Sequence, residues 1–354
     1  MKSKFVHLLM LIVVSVFLAS CGAQSTDSSG DEQNEGIEEA NEGMSEEVGS
    51  DEAVHLRFGH VLSEESDYHV IATTFAEEVA ERSAGSLVID VFGQGQLGDE
   101  AQMVGSAQAG DTALVLTAFA PVSNIVEEFA IFDLPYLFNG FEHANEVLAG
   151  EVGDSYFSLL EDHNLISLGH AGAVEFNVYG KEAVHEVSDM NGLRVRVPPS
   201  QGYVLSFEAL GSQPTPTAYS EVYVGLQQGT LDAGVTSPDQ YIQDNFVEVT
   251  DYYSLTKTHQ QQRLLVMSKA IMDSLTDEQQ DILFEAAEIA IEAGKAYYKN
   301  SYFESLEEAE NRGTEIIEPD IDGFREAIQD VYDKALEDIP NGQVLFEELK
   351  EAAS

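Results

Sequence analysis

Residues 192–239 constrain the fold more than any other stretch of this chain. Leu193, Val195 and Val197 alternate with Arg194 and Arg196, the period of a strand with one buried face. Pro198 and Pro199 stop that strand, because proline neither donates to a strand ladder nor continues a helix. An apolar helix around 203–210, a Pro-rich turn, a second helix at 220–228 and a short strand at 231–235 are expected to follow. An arginine at the tip of a strand, facing a helix N-terminus, can hold a carboxylate by two parallel hydrogen bonds. Arg196 is the candidate. Arg194 reads as structural.

The segment before it alternates strand and helix. A strand at 56–61 is followed by a helix at 66–84, with Val70, Ile71, Phe75, Val79 and Ala80 on one face and Gly85 past its end. A strand at 87–92, a helix at 100–108 and a strand at 113–117 continue the order, which implies an α/β fold with a parallel sheet. In such a sheet the loops at the carboxyl ends of the strands face the ligand. The glycines of 93–98 spell neither a dinucleotide fingerprint nor a phosphate loop and read as a tight strand-to-helix turn. A helix is expected near 142–163, and long extended runs at 165–179 and 254–268. Thr276 with Gln279 forms a capping box. The helix it opens carries Ile282, Leu283, Ala286, Ile289 and Ala293 on one face and reaches Asn311, with a last helix at 321–336.

The first residues read as an export signal. Lys2 and Lys4 precede an apolar run at 5–18, and Leu18-Ala19-Ser20-Cys21 matches a lipobox, in which small residues admit a peptidase next to a cysteine that carries lipid. Residues 1–20 are the expected signal peptide. The apolar run is short for a membrane span. Cys21 is the sole cysteine, so one chain forms no internal disulfide. Residues 21–53, rich in Ser, Gly, Asn, Asp and Glu, cannot bury enough apolar surface to offset their ordering entropy; an acidic tether is expected. The 64 acids against 16 Lys and Arg give a formal charge of −48. That charge excludes nucleic acid as a partner and suits a saline habitat, where salt screens self-repulsion.

Several ordered motifs then carry a resemblance. The run G-L-x-x-R-V-P followed by S-E-V-Y-x-x-L-x-x-G-x-x-D-A-G, with G-Q-L-G-x-E after the second strand and F-D-L-P-Y-L-F at 132–138, resembles the substrate-binding subunits of TRAP transporters, the C4-dicarboxylate-binding type. The likeness extends over about residues 56–332. It implies a two-lobe periplasmic-binding-protein-like fold, with hinge-crossing strands at the two extended runs and a long C-terminal helix spanning both lobes. The expected division is 54–174 with 262–300 for one lobe and 175–261 with 301–350 for the other. It also implies a protein that captures a small organic acid outside the cell membrane and delivers it to membrane permease subunits, held there by the lipid that the lipobox places on Cys21.

The resemblance assigns the ligand carboxylate to Arg196 and an aromatic lid to Tyr219. Thr236 stands where many members have asparagine. Glu100 and Thr117 match cleft-facing positions, and His60 and Glu64, in the loop after the first strand, are expected at the same mouth. Glu175, beside Phe176, falls where many members carry a second cation, there or one position away. A carboxylate there disfavours a dicarboxylate, leaving a monocarboxylate with hydroxyls or a positive end: a sugar, hydroxy or keto acid, or a zwitterionic compatible solute. Pairing of Glu175 with Arg196 is the alternative. No cofactor is expected, and no metal, since His55, His60 and His69 make no helical i, i+4 pair. An extracytoplasmic enzyme using Glu64, Glu100 and Glu175, or a sensor-coupled receptor, are the rival functions; no nucleophile motif supports the enzyme.

Overall fold

The computed structural model describes residues 53–353. The signal peptide, Cys21 and all but the last residue of the tether lie outside the described residues. From Val54 the expected alternation is present: β1 (Val54–Gly59), α1 (Asp67–Arg82), β2 (Leu87–Phe92), α2 (Glu100–Ala109) and β3 (Leu114–Ala118). β1 pairs in parallel with both β2 and β3. Local chemistry sets the boundaries. Ser66 Oγ accepts from the His69 amide at the start of α1, Asp99 and Gln102 close a reciprocal capping box on α2, and Gly110 ends α2 at φ 87°.

A short α3 (Phe119–Ser123) follows, then a 3-10 segment at Glu127–Asp133. The single helix expected at 142–163 is instead α4 (Phe141–Leu148), α5 (Glu151–Ser158) and a 3-10 turn. A Cβ at Gly153 would lie 2.1 Å from the Leu148 carbonyl oxygen. The start of α5 therefore presses against the end of α4, which a continuous helix cannot do. Next come β4 (Leu165–Gly180), β5 (Arg194–Val197), α6 (Gln201–Ala209), β6 (Gln213–Pro216), α7 (Val222–Gln228), β7 (Ala233–Thr236) and α8 (Pro238–Gln243). The Pro-rich stretch expected as a turn is β6, at one end of the sheet, where a missing N–H is tolerated. The chain closes with β8 (Tyr252–Ser268), α9 (Lys269–Met272), α10 (Asp277–Asn311), β9 (Glu315–Ile317), α11 (Ile321–Ala327), α12 (Gln329–Asp338) and α13 (Gly342–Ala352). The last expected helix is broken at Ile328 into α11 and α12.

One nine-stranded sheet runs β2-β1-β3-β8-β4-β7-β5-β6, with β9 on β8. β4 and β8, of 16 and 17 residues, are antiparallel partners long enough to serve two lobes. At one end β8 also pairs with β3, over 263–267. At the other, β4 pairs with β7 over 177–180, and β8 with β9 over 252–254. Between these ends Ala173–Phe176 pair with His259–Gln262. Register shifts interrupt the ribbon at 167/169, 170/172 and 176/178; such bulges bend a strand and increase its twist. Gly172, at φ 99°, supplies a backbone angle that a β-branched residue resists.

The core is divided accordingly. Phe58, Ile71, Phe75, Leu114, Leu265 and Ala290 belong to one buried cluster, and Tyr179, Val222, Leu226, Tyr241 and Tyr253 to another. A larger third cluster includes Phe119, Phe132, Val174, Phe176, Val197 and Phe207, from both ends of the ribbon. Helix α10 has 35 residues, about 52 Å at 1.5 Å per residue. The capping box of Thr276 and Gln279 starts it as expected, and it packs on α1, β4 and α8.

At Gly294 of α10 a Cβ would meet Ile71 Cγ1 at 2.3 Å. Gly294→Ala is therefore expected to destabilise by about 1–3 kcal/mol through overpacking, despite alanine's better helix propensity; chemical denaturation measures this, and a gain in stability would contradict the packing. A second expectation concerns pH. Ser200 Oγ donates to Asp133 Oδ2 at 2.5 Å instead of capping α6, and burial pushes the Asp133 carboxyl up from 3.8 to about 7. The folded form thus binds a proton that the unfolded chain has released, so this contribution to stability is greatest at low pH and is lost as pH rises through about 7. Asp133→Asn should melt higher than the unsubstituted protein at pH 8, with the gap narrowing by pH 5. A gap independent of pH would refute the assignment.

Candidate functional site

Parallel strands leave their carboxyl-end loops on one side of the sheet, and a cavity of about 380 Å³ opens there. One wall comes from the loops after β1, β2 and β3: Leu62, Gln94, the start of α2 with Glu100, and Ala118 to Asn124. The facing wall is the tip of β5 with Arg196, Pro198 and Pro199, the turn at Ala218–Glu221, and Gln240 of α8. Phe176 of β4 and Gln261 of β8 also line it, from the span where those strands pair with each other.

Arg196 is the only cation among the described residues that line this cavity. It is 4% exposed. Its Nε donates to the Thr217 carbonyl at 3.0 Å, and its guanidinium carbon lies 5.4 Å from the centre of the Tyr219 ring. No described residue provides a hydrogen-bond acceptor for its two terminal nitrogens. Burial lowers its pKa, while Tyr179, Tyr219 and Glu100 favour the charge. Across the cavity, Glu100 Oε1 accepts from the Ala118 amide at 2.8 Å. Burial raises the pKa of this carboxyl, and Arg196 is among the groups that oppose the rise. A guanidinium and a carboxylate thus face a common space edged by the amides of Gln94, Asn124, Gln240 and Gln261. Such a set binds an anionic group at one end and hydroxyl or cationic groups at the other.

Residues 58–338 match the family described as bacterial extracellular solute-binding protein, family 7. The chain belongs to that family. Its members are solute-binding proteins, not enzymes. A solute-binding protein of Chromohalobacter salexigens is 28% identical over 283 residues, covering 79% of this chain and 84% of that one. Two solved TRAP periplasmic solute-binding proteins are similar in structure. One, from a Polaromonas species and bound to D-erythronate, has a TM-score of 0.81 at 26% identity, covering 84% of this chain and 98% of that one. The other, from a Sulfitobacter species with β-D-galacturonate, has a TM-score of 0.81 at 27% identity, covering 84% and 99%. The two-lobe architecture expected from the sequence is thereby shown. Among the described residues no helix is long and apolar enough to cross a membrane.

Within this family 7 fold, Arg196, Tyr219, Glu100 and Phe176 line the cavity. The other expected site residues do not. Glu175 lies beside Phe176 on β4, and neighbouring strand residues point to opposite faces; its carboxylate is buried under α10, accepting from Tyr302 Oη at 2.6 Å and Asn177 Nδ2 at 3.4 Å. It neither faces a ligand nor pairs with Arg196. Thr236 is buried, with Oγ1 donating to Gln240 Oε1 at 2.6 Å, so it steadies a lining residue. Thr117 is buried and donates to the Ala118 carbonyl. His60 is buried behind Gly93, 3.2 Å from His69 Nδ1, and burial lowers its pKa to about 4. Glu64 is exposed, while Val61 and Leu62 of its loop line the cavity. Arg194 is structural as expected, gripping Asp232 through Nε at 2.8 Å and Nη2 at 2.5 Å.

The lining amides are not among the residues expected from the sequence. Gln261 has a usable signal, a Gln260-Gln261-Gln262 run in the middle of a long extended segment; Gln240 and Asn124 have none. Arg263, fully buried against Asp67 and 4.7 Å from the Tyr68 ring, backs another wall residue. Glu175→Gln should leave solute affinity within about twofold in a titration, because nothing on that face reaches the cavity. A tenfold loss would return Glu175 to the site.

Proposed function

We propose that this protein captures a small hydroxylated monocarboxylic acid, such as a sugar acid, and delivers it to TRAP membrane permease subunits. The observation that carries the reading is Arg196, buried at the tip of β5 with no acceptor for either terminal nitrogen among the described residues. The ligand carboxylate bridges those nitrogens in a bidentate pair. Hydroxyls along the acid donate to Glu100 and exchange hydrogen bonds with Gln240, Gln261 and Asn124. A second carboxylate has no cation to meet and faces Glu100. The D-erythronate and β-D-galacturonate in the related structures have this single-acid, many-hydroxyl chemistry. A zwitterion with its positive end on Glu100 is the second reading, favoured by the same pair of opposite charges.

Capture follows from the ribbon of β4 and β8. Residues 54–174 with 262–300 form one lobe and 175–261 with 301–350 the other, hinged near 173–176 and 259–262, so that closure with Tyr219 excludes water. Cys21 carries the lipid that holds the protein outside the cell membrane, with 21–53 as its tether and 1–20 as the removed signal. The acid-rich surface suits saline surroundings.

Arg196→Ala should lose ligand affinity by about 2–5 kcal/mol, the usual result of removing one partner of a buried charge pair, with melting behaviour largely retained. Calorimetric titration with D-galacturonate and D-erythronate reads this directly. Affinity unchanged by the substitution would remove Arg196 from the site.

A further inference from the structure

We propose that Asp244 is a positioning residue for ligand capture: it anchors Tyr219 over Arg196 and so holds the guanidinium presented to the cavity. The inference rests on the reading of Arg196 as the carboxylate clamp. Three contacts link the residues in series. Arg196 is fixed on one side by the Thr217 carbonyl, 3.0 Å from Nε. Its guanidinium lies 5.4 Å from the centre of the Tyr219 ring. The Tyr219 hydroxyl donates to Asp244 Oδ2 at 2.5 Å.

Tyr219 needs such an anchor. It sits in a three-residue 3-10 turn between the end strand β6 and α7, with no buried residue in the turn. Phe246 touches its ring edge-on at 6.0 Å and 88°, which limits but does not fix the phenol. A hydrogen bond to a carboxylate is stronger and more directional than one to a neutral acceptor. It also adds electron density to the ring, which strengthens attraction to the cation on its face. A phenylalanine could cover Arg196 but could not be tied down, so the hydroxyl at position 219 has a use the lid alone does not explain.

Asp244 follows α8, the helix that carries Gln240. The groups facing it are Tyr219, Tyr179 of β4 and Asp239 of α8, with Arg196 beyond the Tyr219 ring. Burial raises its carboxyl from 3.8 to about 6, opposed by the Tyr219 hydrogen bond. The charged anchor is therefore present at pH 8 and discharged at pH 5.

The test combines a readout without ligand and one with it. Tyr219 is replaced by 3-fluorotyrosine, and its fluorine resonance is followed from pH 8 to pH 5 in the otherwise unsubstituted protein and in Asp244→Asn. Titrations with D-galacturonate and D-erythronate compare the unsubstituted protein, Asp244→Asn, Tyr219→Phe and Arg196→Ala at both pH values. The resonance should shift with a midpoint near pH 6 and stay flat in Asp244→Asn. Affinity should fall about fivefold at pH 5, the loss of one ordinary hydrogen bond. Asp244→Asn and Tyr219→Phe should bind more weakly than the unsubstituted protein at pH 8 and lose less on acidification than it does, the remaining pH dependence being that of Glu100. A resonance insensitive to pH, or a full pH profile surviving in Asp244→Asn, would overturn the proposal. Undiminished binding by Arg196→Ala, or binding of neither acid, would overturn the clamp and this inference with it, while the fluorine titration still reports whether Asp244 and Tyr219 are coupled.

Discussion

A nearly buried guanidinium whose two terminal nitrogens have no acceptor among the described residues is the constraint on which the proposed site depends. Desolvation of an ion costs several kcal/mol unless an opposite charge and matched hydrogen bonds replace the water. The protein compensates Arg196 only in part, through the Thr217 carbonyl, the face of Tyr219 and the more distant charge of Glu100. In the proposed reading the ligand carboxylate meets the remaining deficit, and a neutral solute of the same size would fill the cavity and still leave the cation unsatisfied.

The sheet explains how opposing charges come to share one space. β1, β2 and β3 end at the wall bearing Glu100, β5 ends at the wall bearing Arg196, and the two sets of strands are joined through β4 and β8. The middle of that ribbon carries Phe176 and Gln261, which touch the cavity. In the proposed capture, a bend there closes the gap between the walls while β1 to β3 and β5 to β7 stay paired.

Much of this fold is legible in the amino-acid sequence, because it depends on local chemistry. Strand-to-helix alternation, the capping box at Thr276 and the two long extended runs are set by neighbours in sequence. The features that differ from expectation depend on packing. The break before α5 comes from Gly153 pressing on Leu148, and β6 keeps its prolines because it lies at the end of the sheet. Glu175 reads as a site residue only through the family resemblance; alternation puts residues 175 and 176 on opposite faces without saying which faces the cavity, and the bulges at 167/169, 170/172 and 176/178 shift that phase. Arg196 is identifiable through its motif. Gln240, held by Thr236, and Asp244, held by Tyr219, acquire their roles only through contacts across turns.

The central claim is that one negative charge on the solute meets one buried cation. Calorimetry on matched pairs tests it most directly: D-galacturonate against D-galactose, and D-erythronate against erythritol, at one pH and salt concentration. The account predicts that at least one acid binds and that its uncharged counterpart binds weaker by about a hundredfold or more, roughly 2.7 kcal/mol. Equal affinity for an acid and its neutral counterpart would contradict it.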